Sequence, residues 1–454
     1  MPGSASQPIA IIGGGFSGLM VAANLVRAST RPHTIYIIAE EADGLGIAYR
    51  TRNAAHLLNV PAGNMGAFAD AADGFYQWLQ TAEAAPHRDG FGIAPHIAAT
   101  DFMPRALYAA YLQSIWHATQ KIAAQKSITL AHVPSRATAI RAEGGIAVLT
   151  ERGDAIAAAH IVLATGHELK PVIAHIPARH VIQNPWAADV FAAAKHWASP
   201  VVLMGTGLTA VDTLLSLRHA GYAGEIIAFS RHGLLPQPHA PYAGGVTLDV
   251  ASLLAHPSLA ALLRDVHDHA QSYPWRAVVD GLRPHTQTLW QKFSTRDQQR
   301  FLSRVLPFWN VHRHRMAPHI AATIAAEMES GNLRILASKL YEARVENDQL
   351  HLTLHLKNAS QNFAPAVIIN CTGPELNLAK SRSTLLRQAL ADGVVEPHAT
   401  GLGIAVDPQH RAWGALYPNL YAIGPLMTGQ LLESTAVPEL RVQAAGVAKN
   451  MLQA

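Results

Sequence analysis

Gly13, Gly15 and Gly18 stand at Gly-x-Gly-x-x-Gly spacing directly behind the apolar run Ile9-Ala10-Ile11-Ile12. That pattern suits a backbone that grips a pyrophosphate. Gly13 permits a strand-to-helix turn, Gly15 lets the chain approach the phosphates, and Gly18 lets the helix lie close to the strand. The intervening Phe16 and Ser17 fall on the same turn, and a helix read over Leu19 to Arg27 adds the positive end of its dipole. A second strand, Thr34 to Ala39, ends in Glu40. A carboxylate about 20 residues past the glycines is placed to bind adenosine ribose hydroxyls. Glu41 competes for that role.

A second turn follows Val201-Val202-Leu203-Met204, with Gly205, Gly207, Leu208 and Thr209, and with Ala210 where the third glycine would be. The strand after it, Glu225 to Phe229, runs into Ser230-Arg231-His232 with no acidic residue. An Arg there suits the 2′-phosphate of NADPH, where an acidic residue would favour NADH. The competing reading makes Arg231 a solvated surface charge. Each turn is echoed by an apolar strand closing in Thr-Gly: Ile161 to Ala164 before Thr165-Gly166, and Val367 to Asn370 before Cys371-Thr372-Gly373. A chain that carries this unit twice is expected to hold two dinucleotides and to pass electrons between them. The expected cofactors are FAD in the first site and NADPH, with NADH as the alternative, in the second.

Other residues bear chemistry without a defining pattern. Gly424 and Ser434-Thr435-Ala436 precede a helix with Pro438 in its first turn, and that helix start is read as a flavin contact or as an ordinary cap. Asn59 sits in the apolar loop Leu57 to Met65, and Arg105 opens a helix over Ala106 to Ile115. Arg105 suits a cofactor phosphate, an anionic substrate or a buried ion pair. The cluster His312-Arg313-His314-Arg315 makes a poor metal site, lacking carboxylate or cysteine partners. It reads as an anion site or as a strand or extended turn whose arginines pair with acids. Asn59, Arg105, His312 and His314 are therefore weak catalytic candidates, and no metal site is expected. Cys371 is the only cysteine. A disulfide reductase is disfavoured because there is no Cys-x-x-Cys.

Positioning two such sites needs two Rossmann-like α/β domains, and 454 residues suffice for them. The nicotinamide domain is expected to be inserted in the flavin domain. The flavin domain then spans 1–169 and 371–454, and the NAD(P)H domain spans 170–370. Crossing points are expected near Gly166 and Gly373. Alternating segments at 138–166 and 342–373 read as meanders preceding each closing strand. The Pro-, His- and Trp-rich stretch of about 232–328 reads as a helical insertion, with helical patterns over Leu253 to His267 and Gln298 to Val305. A formal charge of +4, with no basic run, argues against nucleic acid. Met1 to Gln7 is uncharged, and the apolar stretch Ile9 to Val26 is broken by glycines, so neither a signal peptide nor a membrane span is expected. A cytoplasmic location is expected; the sequence leaves the oligomeric state open.

Several motifs, taken together, resemble one group of bacterial FAD/NAD(P)-binding flavoproteins. They are Gly46-Ile47-Ala48-Tyr49, Leu57-Leu58-Asn59-Val60-Pro61-Ala62-x-x-Met65, Phe102-Met103-Pro104-Arg105-x-x-Tyr108 and Trp309-x-Val311 through Pro318, with Ile423-Gly424-Pro425 and Glu433 through Arg441. The group includes FAD-dependent urate hydroxylase and the nitrosuccinate-forming aspartate N-monooxygenase. More distantly, the chain is similar to the ornithine and lysine N-hydroxylating monooxygenases. The resemblance implies bound FAD, NAD(P)H as reductant, and O2 and a small polar nitrogenous compound as substrates. It implies monooxygenation through a flavin hydroperoxide, with the Leu57 to Met65 loop beside the flavin ring. Two other readings compete: a reductase or oxidase without oxygen insertion, and a flavin-bound regulatory protein.

Overall fold

The computed structural model describes residues 8–141, 146–242, 246–414 and 417–453. The expectations for Met1 to Gln7, and the parts of the first meander and of the insertion at 142–145 and 243–245, lie outside the described residues. The chain divides into two compact units. One comprises Met1–Ala54, Val60–Glu168 and Glu375–Ala454; the other comprises Ala55–Asn59 and Leu169–Pro374.

In the first unit, five parallel strands run in the order Leu420–Ala422, His160–Leu163, Ile9–Ile12, Thr34–Ile38 and Thr129–Val133. Ile9 to Ile12 are all buried, as a parallel strand covered on both faces requires. The helix Phe16–Ala28 packs against Val437–Gln453 and Arg105–Gln125. The second unit repeats the plan in the order Leu333–Ala337, Ile226–Ser230, Val201–Met204, Ile368–Asn370 and Val181–Ile182, again all parallel. The edge strand that comes last in the chain in the first unit comes first in the second.

Each sheet is accompanied by a three-stranded antiparallel meander, Ala137–Arg141 with Ala147–Thr150 and Ala155–Ala157, and Lys339–Glu346 with Gln349–His355 and Ser360–Phe363. Leu350, Leu352 and Leu354 point into the core of the second unit, as the two-residue period of a half-buried strand dictates. The chain passes between units at Glu168–Leu169 and returns at Pro374–Glu375, and these two segments pair as a short ribbon. Ala55–Asn59 clusters with the second unit, although it falls within the 1–169 span expected for the flavin domain.

Between Ile226–Ser230 and Leu333–Ala337 lies a run of helices with its own core of Leu248, Leu253, Leu262, Val278, Leu282 and Leu289. The two helical patterns there are each interrupted. The first is split into Val250–Ala255 and Leu259–Ser272, because Pro257 keeps His256 out of the helical region and Ser258 then caps the new start. The second becomes Thr295–Arg300, a π-helical turn Phe301–Val305, and the helix Leu306–Arg313.

Burial holds six of the histidines, His33, His160, His167, His239, His398 and His410, below their ordinary pKa of 6.5. The unfolded chain therefore takes up protons on these rings before the folded one does. The stability they contribute is whole above pH 6.5 and is lost as pH falls through their folded values. Thermal unfolding followed by circular dichroism should show Tm falling from about pH 6.5 downward. A flat or rising Tm between pH 7 and 5.5 would contradict this.

Candidate functional sites

Both glycine turns adopt one geometry. Gly13 has φ +123° and Gly205 has φ +122°, a region that favours glycine. The helix-capping residues match as well: Gly15 has φ −85° and ψ −167°, Gly207 φ −80° and ψ −169°, and neither helix start carries a side-chain cap. The N–H groups of each first turn are thus left for a ligand. A Cβ on Gly13 would lie 2.1 Å from the Ala164 carbonyl oxygen, and one on Gly205 would lie 2.2 Å from that of Cys371. These glycines serve the fold. Gly207 differs, since a Cβ there meets nothing within 4 Å. Gly18 is needed for helix-to-strand contact, its Cβ falling 2.0 Å from the Gly13 carbonyl oxygen, whereas Ala210 fills the matching position while buried.

In the first unit the expected residues converge at the carboxyl ends of four adjacent strands. Gly424 follows Leu420–Ala422, Thr165 and Gly166 follow His160–Leu163, Gly13 to Gly18 follow Ile9–Ile12, and Glu40 follows Thr34–Ile38. Carboxyl strand ends, where the connection order reverses, are where open α/β sheets bind ligands. Glu40 is paired with Arg136, whose Nε lies 2.8 Å from Glu40 Oε2, and Glu41 is paired with Arg50. Ser434 is buried with its Oγ 3.1 Å from Thr428 Oγ1, and Thr435 and Ala436 lead into Val437–Gln453.

Two residues of that last helix hold backbone in place: Gln443, which no motif marked, and Arg441, the last residue of the Glu433 to Arg441 motif. Gln443 Oε1 accepts the Gly424 N–H at 3.0 Å, and Arg441 Nη1 donates to the carbonyls of Gly66 at 3.0 Å and Ala72 at 3.1 Å. Arg105 starts the helix Arg105–Gln125 beside Tyr49, within an aromatic group that includes Phe16, Phe75, Tyr108 and Tyr111. Burial pushes the Tyr49 and Tyr108 hydroxyls above their ordinary pKa, and the Arg105 charge opposes this at Tyr49.

The second unit contains a cavity of about 920 Å³. Gly205, Thr206, Gly207, Leu208 and Thr209 line it from the turn, Ser230 and Arg231 from the next strand end, and Thr372 and Gly373 from the closing strand. Lys170, Arg231 and Lys339 also line it, and no Asp or Glu does. Ser230 is held in its own turn: its Oγ accepts the Gly233 N–H at 3.0 Å and lies 2.8 Å from Thr206 Oγ1. Cys371 is buried at the cavity wall, and burial pushes its thiol up to about 12, so it stays protonated.

The His312 to Arg315 cluster is neither a strand nor an extended turn; it closes the helix Leu306–Arg313 and runs beyond it. Arg315 is buried and ion-paired with Asp280, whose other oxygen accepts from Tyr242 at 2.7 Å. His314 lines the cavity, while His312 sets its ring edge-on to Trp275 at 4.8 Å. Asn59 offers its backbone carbonyl to His239 Nε2 at 3.1 Å, and neighbouring His56 anchors this segment with Nε2 2.8 Å from Ser216 Oγ. Among the described residues no group of three or more His, Cys, Asp or Glu is placed to hold a metal, and no helix is long and apolar enough to cross a membrane.

Residues 10–168 match a family described as FAD-NAD(P)-binding. The chain therefore carries an FAD/NAD(P)-binding domain. No curated protein sequence matches it. Among solved structures it is similar to L-lysine 6-monooxygenase from Pseudomonas syringae, with TM-score 0.66, 14% identity and 99% of both chains covered. It is also similar to the reduced ornithine hydroxylase of Pseudomonas aeruginosa, with TM-score 0.65, 14% identity and 99% of both chains covered. The ornithine N-hydroxylase of Kutzneria sp. 744, solved with reduced FAD, NADP+ and L-ornithine, gives TM-score 0.62 at 16% identity over 99% of both chains. The chain shares its fold with these ornithine and lysine hydroxylases.

Proposed function

We propose that the protein is an FAD-dependent, NAD(P)H-using monooxygenase that hydroxylates a small polar nitrogenous compound. The observation that carries this reading is the duplicated turn: two backbone cradles of one geometry, in a chain similar over its whole length to an ornithine N-hydroxylase solved with reduced FAD and NADP+. On this reading the first unit holds FAD through Gly13, Gly15, Phe16, Ser17 and Gly18, with Glu40 on the ribose. Thr165, Gly166, Gly424 and Ser434 to Ala436 lie along the rest of the molecule. The second unit holds NAD(P)H through Gly205, Gly207, Leu208, Thr209, Ser230 and Arg231. The corresponding domain bounds are the flavin parts 1–169 and 371–454 around a nicotinamide part, 170–370.

The residues fit both groups. Each helix start leaves its N–H groups uncapped at a glycine, and the second cradle opens into a cavity lined by cations and no carboxylate. Bound flavin would accept a hydride from the nicotinamide and supply the two-electron chemistry with oxygen. The chain's own part is to bind and orient. Gly15 and Gly207 let the backbone approach the pyrophosphates. Gln443 fixes the Gly424 amide, and Arg441 pins the carbonyls of the Gly66 and Ala72 segment.

The substrates that fit the motif resemblance are urate and an amino acid such as aspartate, and the similar structures add ornithine and lysine. The test is spectroscopic. Purified protein should show flavin absorbance, and NADPH should reduce that flavin faster with one of these compounds than without. The hydroxylated product should then appear with oxygen consumed. A yellow protein that NADPH reduces, but that oxygenates no compound, would favour the reductase or oxidase reading. A protein that stays colourless after refolding with FAD would sink both.

A further inference from the structure

We propose that His398 is a positioning residue for the flavin site: its neutral ring locks the segment 424–436 against a backbone turn, and the lock opens when the ring takes up a proton. This rests on the reading that Gly424 and Ser434 to Ala436 lie along the flavin, and it adds a residue that no motif marks. Pro397 and Ile404 pair antiparallel. The turn between them is closed by the His398 N–H on the Gly403 carbonyl at 3.2 Å and the Gly401 N–H on the His398 carbonyl at 2.8 Å.

That turn grips the segment at two points. At the first, the Ile404 N–H donates to the Leu426 carbonyl at 2.8 Å, and a Cβ on Gly403 would lie 2.1 Å from the same oxygen. At the second, a Cβ on Gly429 would lie 2.3 Å from the Leu402 carbonyl oxygen and 2.4 Å from His398 Cγ. The His398 ring thus packs directly on the Gly429 backbone. Thr428, between the two points, is buried, and its Oγ1 donates to the Pro425 carbonyl at 2.7 Å while lying 3.1 Å from Ser434 Oγ. A shift at Gly429 is therefore passed on to Ser434.

Hydrogen bonding fixes the protonation state of the ring. The Thr400 N–H can only donate, so Nδ1, 3.2 Å away, is the acceptor. Thr400 Oγ1 lies 2.9 Å from Nδ1 and accepts the Leu402 N–H at 3.4 Å, which leaves its own hydrogen for the ring. With Nδ1 accepting, Nε2 carries the hydrogen and reaches the Gln430 side chain. A proton added to Nδ1 would face the Thr400 N–H and cost both bonds. Burial disfavours the charged ring as well, and the Gln430 bond opposes it. Thr400 on the turn and Gly429 and Gln430 on the segment face the ring. Among the described residues no charged side chain acts on it, neither Glu396 before the turn nor Glu433 in the segment. The locked state therefore needs the neutral ring, while a ring released from the lock titrates near its ordinary value. The grip on FAD is whole above pH 6.5 and weakens as pH falls through the locked value.

The test follows flavin retained by the loaded protein after rapid filtration, between about pH 8 and about pH 5, with Tm measured alongside. The wild type should release FAD roughly tenfold faster at the acid end, the effect of losing one or two hydrogen bonds. In His398→Asn the amide oxygen can still accept the Thr400 N–H but cannot titrate. Release at pH 8 should stay within a factor of about three of the wild type, and the acid rise should flatten. Thr400→Val removes one donor to Nδ1 and should move the rise to higher pH. A residue that merely filled space would leave the profile in place in both variants. A flat wild-type profile would overturn the proposal, as would an unaltered acid rise in both variants. The underlying reading fails differently: the wild type would hold no FAD even at pH 8, and the lock would fall with it.

Discussion

Gly13→Ala is expected to yield a protein that purifies without yellow colour and unfolds earlier than the wild type. Two effects act together. The residue sits at φ +123°, where a side chain is strained, and the new Cβ would lie 2.1 Å from the Ala164 carbonyl oxygen. That oxygen belongs to the backbone, so relief means moving the strand end that leads to Thr165 and Gly166. The cost is about 2–4 kcal/mol of stability, combining left-handed strain with overpacking. The same movement carries the amides of the first helical turn away from the pyrophosphate. Flavin content by absorbance after denaturation, together with Tm, reads both effects. A variant that retains stoichiometric FAD at wild-type Tm would remove the first cradle from the proposal.

Gly207→Ala separates binding from folding more cleanly. Its φ is −80°, open to any residue, and its Cβ would meet no atom within 4 Å. The fold should therefore be indifferent, with Tm and flavin content unchanged. The methyl group would instead occupy the cavity above the helix start, where the nicotinamide pyrophosphate is proposed to rest. Loss of one or two charge-assisted backbone contacts costs about 2–3 kcal/mol, or roughly 30- to 150-fold in NADPH affinity. Stopped-flow reduction at varied NADPH reads this as a raised apparent Kd. Unaltered affinity in a normally folded variant would place the donor elsewhere.

The parts of this molecule that could be read from sequence are those in which neighbours in the chain are also neighbours in space. Gly13 to Gly18 and Gly205 to Ala210 are such stretches: strand, turn and helix follow without a gap, and the apolar runs before them have the continuous character of strands buried on both faces. The Thr-Gly echoes were legible for the same reason. Other features arise only when distant segments meet. Lys339 comes to line the cavity beside Arg231 only because their strands pair, and nothing local in Ala337-Ser338-Lys339 signals that. Gln443 matters because Gly424 turns its amide toward it. The edge strand Val181–Ile182 has two residues, too few for any periodicity to register.

The His312 to Arg315 cluster misled in another way. Four alternating basic residues resemble an extended segment, yet a helix begun at Leu306 carries through Arg313. Tertiary packing then decides the outcome, because Asp280 lies where Arg315 can reach it. Of the four residues, only His314 was brought to the cavity. The interrupted helices of 250–313 show the converse, where local chemistry was decisive: Pro257 and Ser258 stop one helix and start another irrespective of the surrounding core.

The ribbon formed by Glu168–Leu169 and Pro374–Glu375 bears on how such a chain could arise and be taken apart. The second unit begins and ends on adjacent strands, so its departure leaves the host a gap of only about 5 Å to bridge. Joining ends already that close costs little conformational entropy, whatever the length of the guest. At the junction itself the interruption is therefore nearly silent to the host, whose other tie to the guest is the Ala55–Asn59 segment. Excision of 169–374 with a short Gly-Ser splice is a practical route to a minimal flavin carrier.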